Sequence, residues 1–342
     1  MSDCSMQNEK NSKVLEALLS KNQGRPPVWL MRQAGRYLPE YRALREKYTL
    51  RDLFFTPELA ARITLLPVDL IGVDAAILFS DITVIALALG LKLAFQEGPQ
   101  IEPLVTSETV TGLRVGDVRH ILRPIQEAIR ITKPQLRVPL IGFCGGPFTV
   151  ASYLLEKHSG SDLPLTKKWL YQNPKTFEQL LEKITQSSIE YLKMQVDAGV
   201  DAIQIFDSWA HVLSQHHFQK FCVPYLKRLA EAVSVPVILF MRGACLRVEE
   251  LASLKPSCIS FDWQTPLSLL RAQIPQGIAL QGNLDPDLLY APLPVIRQGV
   301  EELLNSMDGD PGFIVNLGHG VKPDVPVNAV RCLVEAVKRS HN

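Results

Sequence analysis

The sequence predicts a single (β/α)8 TIM barrel with a small β-hairpin insertion after its second strand. Three observations predict it. Eight short apolar runs recur along the 342 residues, and each is continuous instead of alternating, as strands buried on both faces of a parallel sheet require. The segments between them carry helical periodicity. No linker, repeat or low-complexity stretch divides the chain, so residues 13–342 read as one domain after a flexible segment 1–12.

In order, the runs are Pro27–Met31, Ala75–Phe79, Pro139–Phe143, Ala202–Phe206, Pro236–Phe240, Cys258–Phe261, Ile278–Gln281 and Gly312–Asn316. Eight strands alternating with helices favour a closed barrel over an open doubly wound sheet, which is the alternative. The clearest helix is Pro174 to Gly199. Phe177, Leu180, Leu181, Ile184, Tyr191 and Leu192 form its apolar stripe, and Gly199 stops it. A last helix from about Val325 to Arg339 opens with Pro326 in its first turn and carries its basic residues late. One region breaks the rhythm. Leu91–Asp117 holds Lys92-Leu-Ala-Phe-Gln96, then Glu-Gly-Pro and a second short run, the pattern of a hairpin.

Composition narrows the function. Hydrophobic residues make up 46% and charged residues 21%, enough for a large core with an ordinary surface. Lys+Arg 36 against Asp+Glu 35 leaves no global field to hold nucleic acid or an anionic membrane, so neither partner is expected, and a binding site for anions must concentrate its charge locally. The six cysteines lack C-x-x-C spacing or a neighbouring histidine, which points to reduced thiols rather than a zinc site. The first 13 residues show neither a signal-peptide core nor a transit pattern, and the longest apolar run, Ile82–Leu91, is too short to span a bilayer. A soluble intracellular protein is expected.

Active sites of such barrels are built by the loops after the strands. Those positions hold Arg32 and Arg36, Ser80-Asp81, Cys144-Gly-Gly through Tyr153, Asp207-Ser208-Trp209, Arg242-Gly243, Asp262-Trp263 and Gly318-His319-Gly320. Two arginines in one loop suit a polyanion, because each guanidinium meets a carboxylate through two parallel donors. They equally suit rim ion pairs to Glu40 and Asp52. Asp81 is either a ligand-facing carboxylate or the N-cap of the Ile82–Leu89 segment, and Asp207 and Asp262 share that ambiguity. Gly145-Gly146 either bares amides to an anion or makes a tight turn. Tyr153 reads as a site residue or a satisfied buried phenol. His319, exposed between glycines, reads as a donor or acid near neutral pH or as a structural residue.

The string Pro27-Val-Trp-Leu-Met-Arg-Gln-Ala-Gly-Arg-Tyr-Leu-Pro-Glu-Tyr41 resembles the N-terminal signature of uroporphyrinogen decarboxylases, and Gly142-Phe-Cys-Gly-Gly-Pro-Phe-Thr-Val-Ala-Ser-Tyr153 resembles their second signature. Phe79-Ser-Asp81, Phe206-Asp-Ser-Trp209 and Asn316-Leu-Gly-His-Gly320 follow in the family's order, so the resemblance covers nearly the whole chain after about residue 12. It implies a cofactor-free, metal-free carboxy-lyase of heme or chlorophyll synthesis. Such an enzyme converts the four acetates of uroporphyrinogen III to methyls and gives coproporphyrinogen III. By the same resemblance Arg32 and Arg36 meet substrate carboxylates, with Arg32 also proposed as a proton donor. Asp81 receives the pyrrole N–H groups, and Tyr153, Ser208 and His319 hold peripheral carboxylates. A homodimer working in cytoplasm or plastid stroma is implied too. Two other readings compete: a zinc-dependent corrinoid or folate methyltransferase of the same superfamily, which needs a His-x-Cys pair absent from this chain, and an inactive tetrapyrrole-binding protein.

Overall fold

A computed structural model describes residues 12–95, 99–102, 105–156 and 162–340. The expected flexible segment therefore lies outside the described residues except for Ser12, whose hydroxyl caps the helix Lys13–Leu18.

Seven parallel strands form one curled sheet: β1 (Ala76–Ile77), then β4 (Leu140–Gly145), β5 (Ala202–Phe206), β6 (Val237–Phe240), β7 (Cys258–Ser260), β8 (Ala279–Leu284) and β9 (Phe313–Leu317), neighbours in that order. Two further strands, β2 (Lys92–Phe95) and β3 (Pro99–Glu102), pair antiparallel with Lys92 opposite Glu102. The fold is TIM-barrel-like. Every residue of β4, β6, β7, β8 and β9 is buried, as continuous apolar runs demand.

Pro27–Met31 departs from the expectation: it forms a single parallel bridge, Val28 to Val315, and no strand. Three of its amides are held by side chains. Asp74 Oδ2 takes the Val28 amide at 2.8 Å, Gln33 Oε1 takes that of Leu30 at 3.1 Å, and Asn316 Oδ1 takes that of Met31 at 3.1 Å. The segment nonetheless bridges the two edges of the sheet. Pro27 O accepts from Val315 N at 2.9 Å on one side, and Val28 O accepts from Asp74 N at 2.7 Å beside β1 on the other. Inside the curl a buried chain of polar groups crosses the centre. Trp29 Nε1 donates to Gln281 Oε1 at 2.9 Å, and Gln281 Nε2 donates to Gln204 Oε1 at 3.1 Å and to Ser260 Oγ at 2.9 Å. Side chains from the 27–31 segment, β5, β7 and β8 meet there.

Helices pack outside the sheet. The longest, Pro174–Ala198, buries all six residues of the expected stripe. Each such side chain removed from water contributes about 1.5–3 kcal/mol. It ends at Gly199, whose φ of 112° few other residues tolerate. Gln195 clamps this helix to β4 by exchanging two hydrogen bonds of 2.9 Å with the Phe143 backbone. The last helix is Val327–Arg339, and Pro326 precedes it as N-cap instead of occupying its first turn. One continuous cluster of buried apolar residues runs from Val14 to Val337. No described helix is long and apolar enough to cross a membrane, and the described cysteines are free.

Candidate active site

The ends of the sheet strands open into a cleft of about 470 Å³. Arg32, Asp81, Tyr153, Ser208 and His319 all line it, and so does Arg242, which stands among the strand-end positions but received no role from the sequence. Arg36 is the exception. It lies four residues beyond Arg32 on an exposed turn outside the lining, so the two arginines do not converge on one side of the cavity. Ion pairs to Glu40 or Asp52 are not made by either arginine among the described residues; Asp52 instead completes a capping box with Thr49.

Buried Gln33 aims Arg32 into the cleft. Its Nε2 donates to Ala75 O at 3.0 Å, and its own carbonyl accepts from Tyr37 Oη at 2.7 Å, so the loop is pinned immediately after the projecting arginine. Arg32 itself adopts φ 60°, a left-handed conformation that costs a non-glycine residue about 1 kcal/mol or more. Gly320 makes room for its stem, since a Cβ there would come within 2.3 Å of Arg32 Cδ. Gly318 does the same for the backbone of Trp263, where a Cβ would sit 2.5 Å from its amide nitrogen. The glycines around His319 therefore serve close approach rather than exposure, and His319 is only half-exposed.

Asp81 sits just past β1 and is both cap and cleft residue. Its Oδ1 accepts from Thr83 N at 2.8 Å and Thr83 Oγ1 at 2.6 Å, capping the 3-10 turn Ile82–Val84. No hydrogen bond from a described residue reaches Oδ2. Burial raises the carboxyl above its ordinary range, while the two Thr83 bonds and the Arg32 charge oppose that rise.

Asp207 and Asp262 turn inward as braces. Asp207 Oδ1 accepts from Thr149 N at 3.0 Å and Thr149 Oγ1 at 2.6 Å, and that hydroxyl in turn takes the Trp209 amide at 3.0 Å. This stitches the loop after β4 to the loop after β5 and fixes the wall that carries Tyr153, Ser208 and Trp209. Burial raises Asp207 to about 6. Asp262 Oδ2 takes the Gly243 amide at 2.5 Å, and Oδ1 takes that of Gln264 at 3.3 Å. Gly145-Gly146 makes a turn: the Gly146 amide donates to Phe206 O at 2.8 Å and faces no ligand space.

The walls are aromatic. Phe143 and Phe206 meet edge to face at 5.6 Å, Phe206 and Phe240 at 5.8 Å, and Phe240 touches the His319 ring at 5.8 Å. Burial and the nearby Arg32, Arg242 and Lys322 charges lower His319 to about 4, so it is neutral at physiological pH and its ring can donate or accept one hydrogen bond. The cleft thus combines an apolar lining with a carboxylate oxygen and two cations that no described residue pairs. Among the described residues no group of three or more His, Cys, Asp or Glu side chains is placed to hold a metal ion.

The uroporphyrinogen decarboxylase family model matches residues 9–340. The chain belongs to that family. Curated relatives agree: the uroporphyrinogen decarboxylase of Protochlamydia amoebophila is 52% identical over 333 residues, 96% of this chain and 92% of that protein. The one from Pelobacter propionicus is 44% identical over 335 residues, 96% and 98% of the two chains. Both names describe carboxy-lyases, so the chain falls in a family of lyases and not of methyl carriers. A solved methyltransferase from Methanosarcina mazei superimposes with a TM-score of 0.83 at 24% identity, covering 96% of this chain and 98% of that one, and attests the fold alone.

Proposed function

We propose that this chain decarboxylates the four acetate side chains of uroporphyrinogen III to methyls, yielding coproporphyrinogen III for tetrapyrrole synthesis, with no cofactor. One observation carries the reading: a carboxylate oxygen of Asp81 that no described residue bonds, inside an aromatic-walled cleft beside an Arg32 with no ion-pair partner among the described residues. A pyrrole acetate has no electron sink until a ring carbon is protonated. The resulting cation accepts the electron pair of the breaking C–C bond, CO2 departs, a proton converts the exocyclic methylene to methyl, and the ring carbon gives up its added proton to restore the pyrrole. Asp81 stabilises that cation and receives pyrrole N–H donors, an electrostatic effect strengthened by the apolar walls. Arg32 meets a carboxylate and supplies a proton. Tyr153, Ser208 and neutral His319 hold peripheral carboxylates, and Arg36 acts at the rim on substrate entering or leaving.

The same proposal sets this chemistry on one domain, residues 13–342, formed as a closed (β/α)8 barrel. Pro27–Met31 is its first stave, and the β2–β3 pair is an insertion after the second. The backbone bonds at both sheet edges and the single buried core support this. The relatives named above come from bacteria, which supports cytoplasm over plastid. A homodimer follows the family resemblance, and Leu246 and Leu269, 70% and 61% exposed beyond β6 and β7, give it apolar surface to use.

The test is anaerobic incubation of chelator-treated protein with uroporphyrinogen III, following oxidised products by chromatography. Wild type passes through seven-, six- and five-carboxyl species to coproporphyrinogen, and Asp81→Ala loses at least about 100-fold in rate. A folded wild type that converts nothing refutes the reading in favour of a binding protein. Turnover surviving in Asp81→Ala keeps the reaction and removes Asp81 from its centre.

A further inference from the structure

Arg242 stands at the end of β6, half-buried in the cleft lining. It makes no hydrogen bond or ion pair with any described residue. Asp262, the acid beyond the next strand, accepts from the Gly243 and Gln264 amides instead. What Arg242 does touch is Trp209, whose ring lies 5.7 Å from the guanidinium carbon. Contact with a ring face orients a guanidinium without neutralising it, so its donors stay available. Arg247 is the contrast nearby. It donates to Leu246 O and Leu213 O at 2.9 Å, so its guanidinium bonds are made to the protein itself.

Placement gives the free cation a meaning. Around the mouth the order is the 27–31 segment, β1, β4, β5, β6, then β7, β8 and β9. In the closed ring proposed above, Arg32 follows the first of these eight and Arg242 the fifth, half a turn apart, with Asp81 between them in the ring order. A tetrapyrrole held at its centre by Asp81 carries carboxylates on its whole perimeter, and cations on one side alone would leave half of them unmatched. We propose that Arg242 is a second anion subsite, taking a peripheral carboxylate of the substrate on the side opposite Arg32, with Trp209 holding it in position. This rests on the tetrapyrrole reading above.

The experiment measures binding apart from turnover. Uroporphyrin, the oxidised octacarboxylate, and coproporphyrin, the tetracarboxylate, are titrated against wild type, Arg242→Gln and Arg242→Lys by fluorescence quenching, with circular dichroism and thermal melts confirming the fold. Losing one charge-assisted contact weakens uroporphyrin binding about tenfold in Arg242→Gln, with partial recovery in Arg242→Lys. Coproporphyrin loses less, having fewer carboxylates to place. In turnover assays KM for uroporphyrinogen rises by more than kcat falls. Arg242→Met, which keeps the stem against Trp209, replaces the Gln variant if that one does not fold. Uroporphyrin affinity within twofold of wild type in a folded Gln or Met variant overturns the proposal, as does a fall in kcat with unchanged affinity. A wild type that binds uroporphyrin without decarboxylating uroporphyrinogen sinks the parent reading and leaves the Arg242 result standing.

Discussion

Replacing Asp207 with asparagine separates a bracing aspartate from a chemical one. Asp207 is 2% exposed, and desolvation lifts its carboxyl from the ordinary 3.8 to about 6 despite the opposing bonds from Thr149. The folded chain thus holds this proton more tightly than the unfolded chain does. Stability from that difference is fully present below 3.8 and lost as pH rises through about 6. The whole interval is worth roughly 3 kcal/mol, of which roughly 2 kcal/mol falls between about pH 4.5 and 7.5. Asparagine cannot titrate, and its carbonyl oxygen can still accept both Thr149 bonds. Urea unfolding of wild type and Asp207→Asn at those two pH values gives the comparison directly. Other carboxylates titrate in both proteins and cancel, so wild type is expected to lose about 2 kcal/mol more than the variant across the window. Parallel pH dependences would mean that Asp207 is charged or solvated in the folded chain, and the buried brace described here would be wrong.

Thr83→Val removes the hydroxyl that lowers the Asp81 carboxyl; the acid limb of kcat then moves to higher pH with a several-fold loss at its optimum, Thr83→Ser restores both, and an unmoved limb refutes the link. Gly320→Ala places a methyl where the Arg32 stem passes and displaces that side chain, so uroporphyrin affinity should fall about tenfold with little change in melting temperature. Affinity equal to wild type would show that Arg32 reaches the ligand by another path.

Much of the fold was legible because burial on both faces writes itself as unbroken apolar runs: seven of the eight became neighbours in one sheet. The eighth, Pro27–Met31, was not legible as a bridge because its amides at Val28 and Met31 are taken by the side chains of Asp74 and Asn316, partners set by tertiary contact and not by local pattern. At the site, strand-end position found Arg32, Asp81, Tyr153, Ser208 and His319. It could not sort Asp81 from Asp207 and Asp262, since all three follow apolar runs and differ only in which way the side chain turns. Nor could it separate Arg36 from Arg32, four residues apart in one loop. A signal for the cleft walls was present and unread. Five runs close on phenylalanine, and the rings of four, Ala75–Phe79, Pro139–Phe143, Ala202–Phe206 and Pro236–Phe240, line the cavity, while Phe261 is buried elsewhere. Arg242 was visible at the end of one of them, but a lone basic residue there carries no local mark of lacking a partner.

The phenylalanine collar bears on how one cavity could handle four chemically similar arms in turn. Hydrogen bonds lock a guest into one orientation, whereas hydrocarbon edges exert no torque about an axis through the guest's centre. On the reading proposed above, a macrocycle seated on Asp81 slides along this arc of rings as it turns and re-engages only its outer charges. Each acetate that becomes a methyl also trades an ionic handle for one that this collar favours. On that reading, grip shifts by degrees from the cations at the rim to the rings in the wall as the work proceeds.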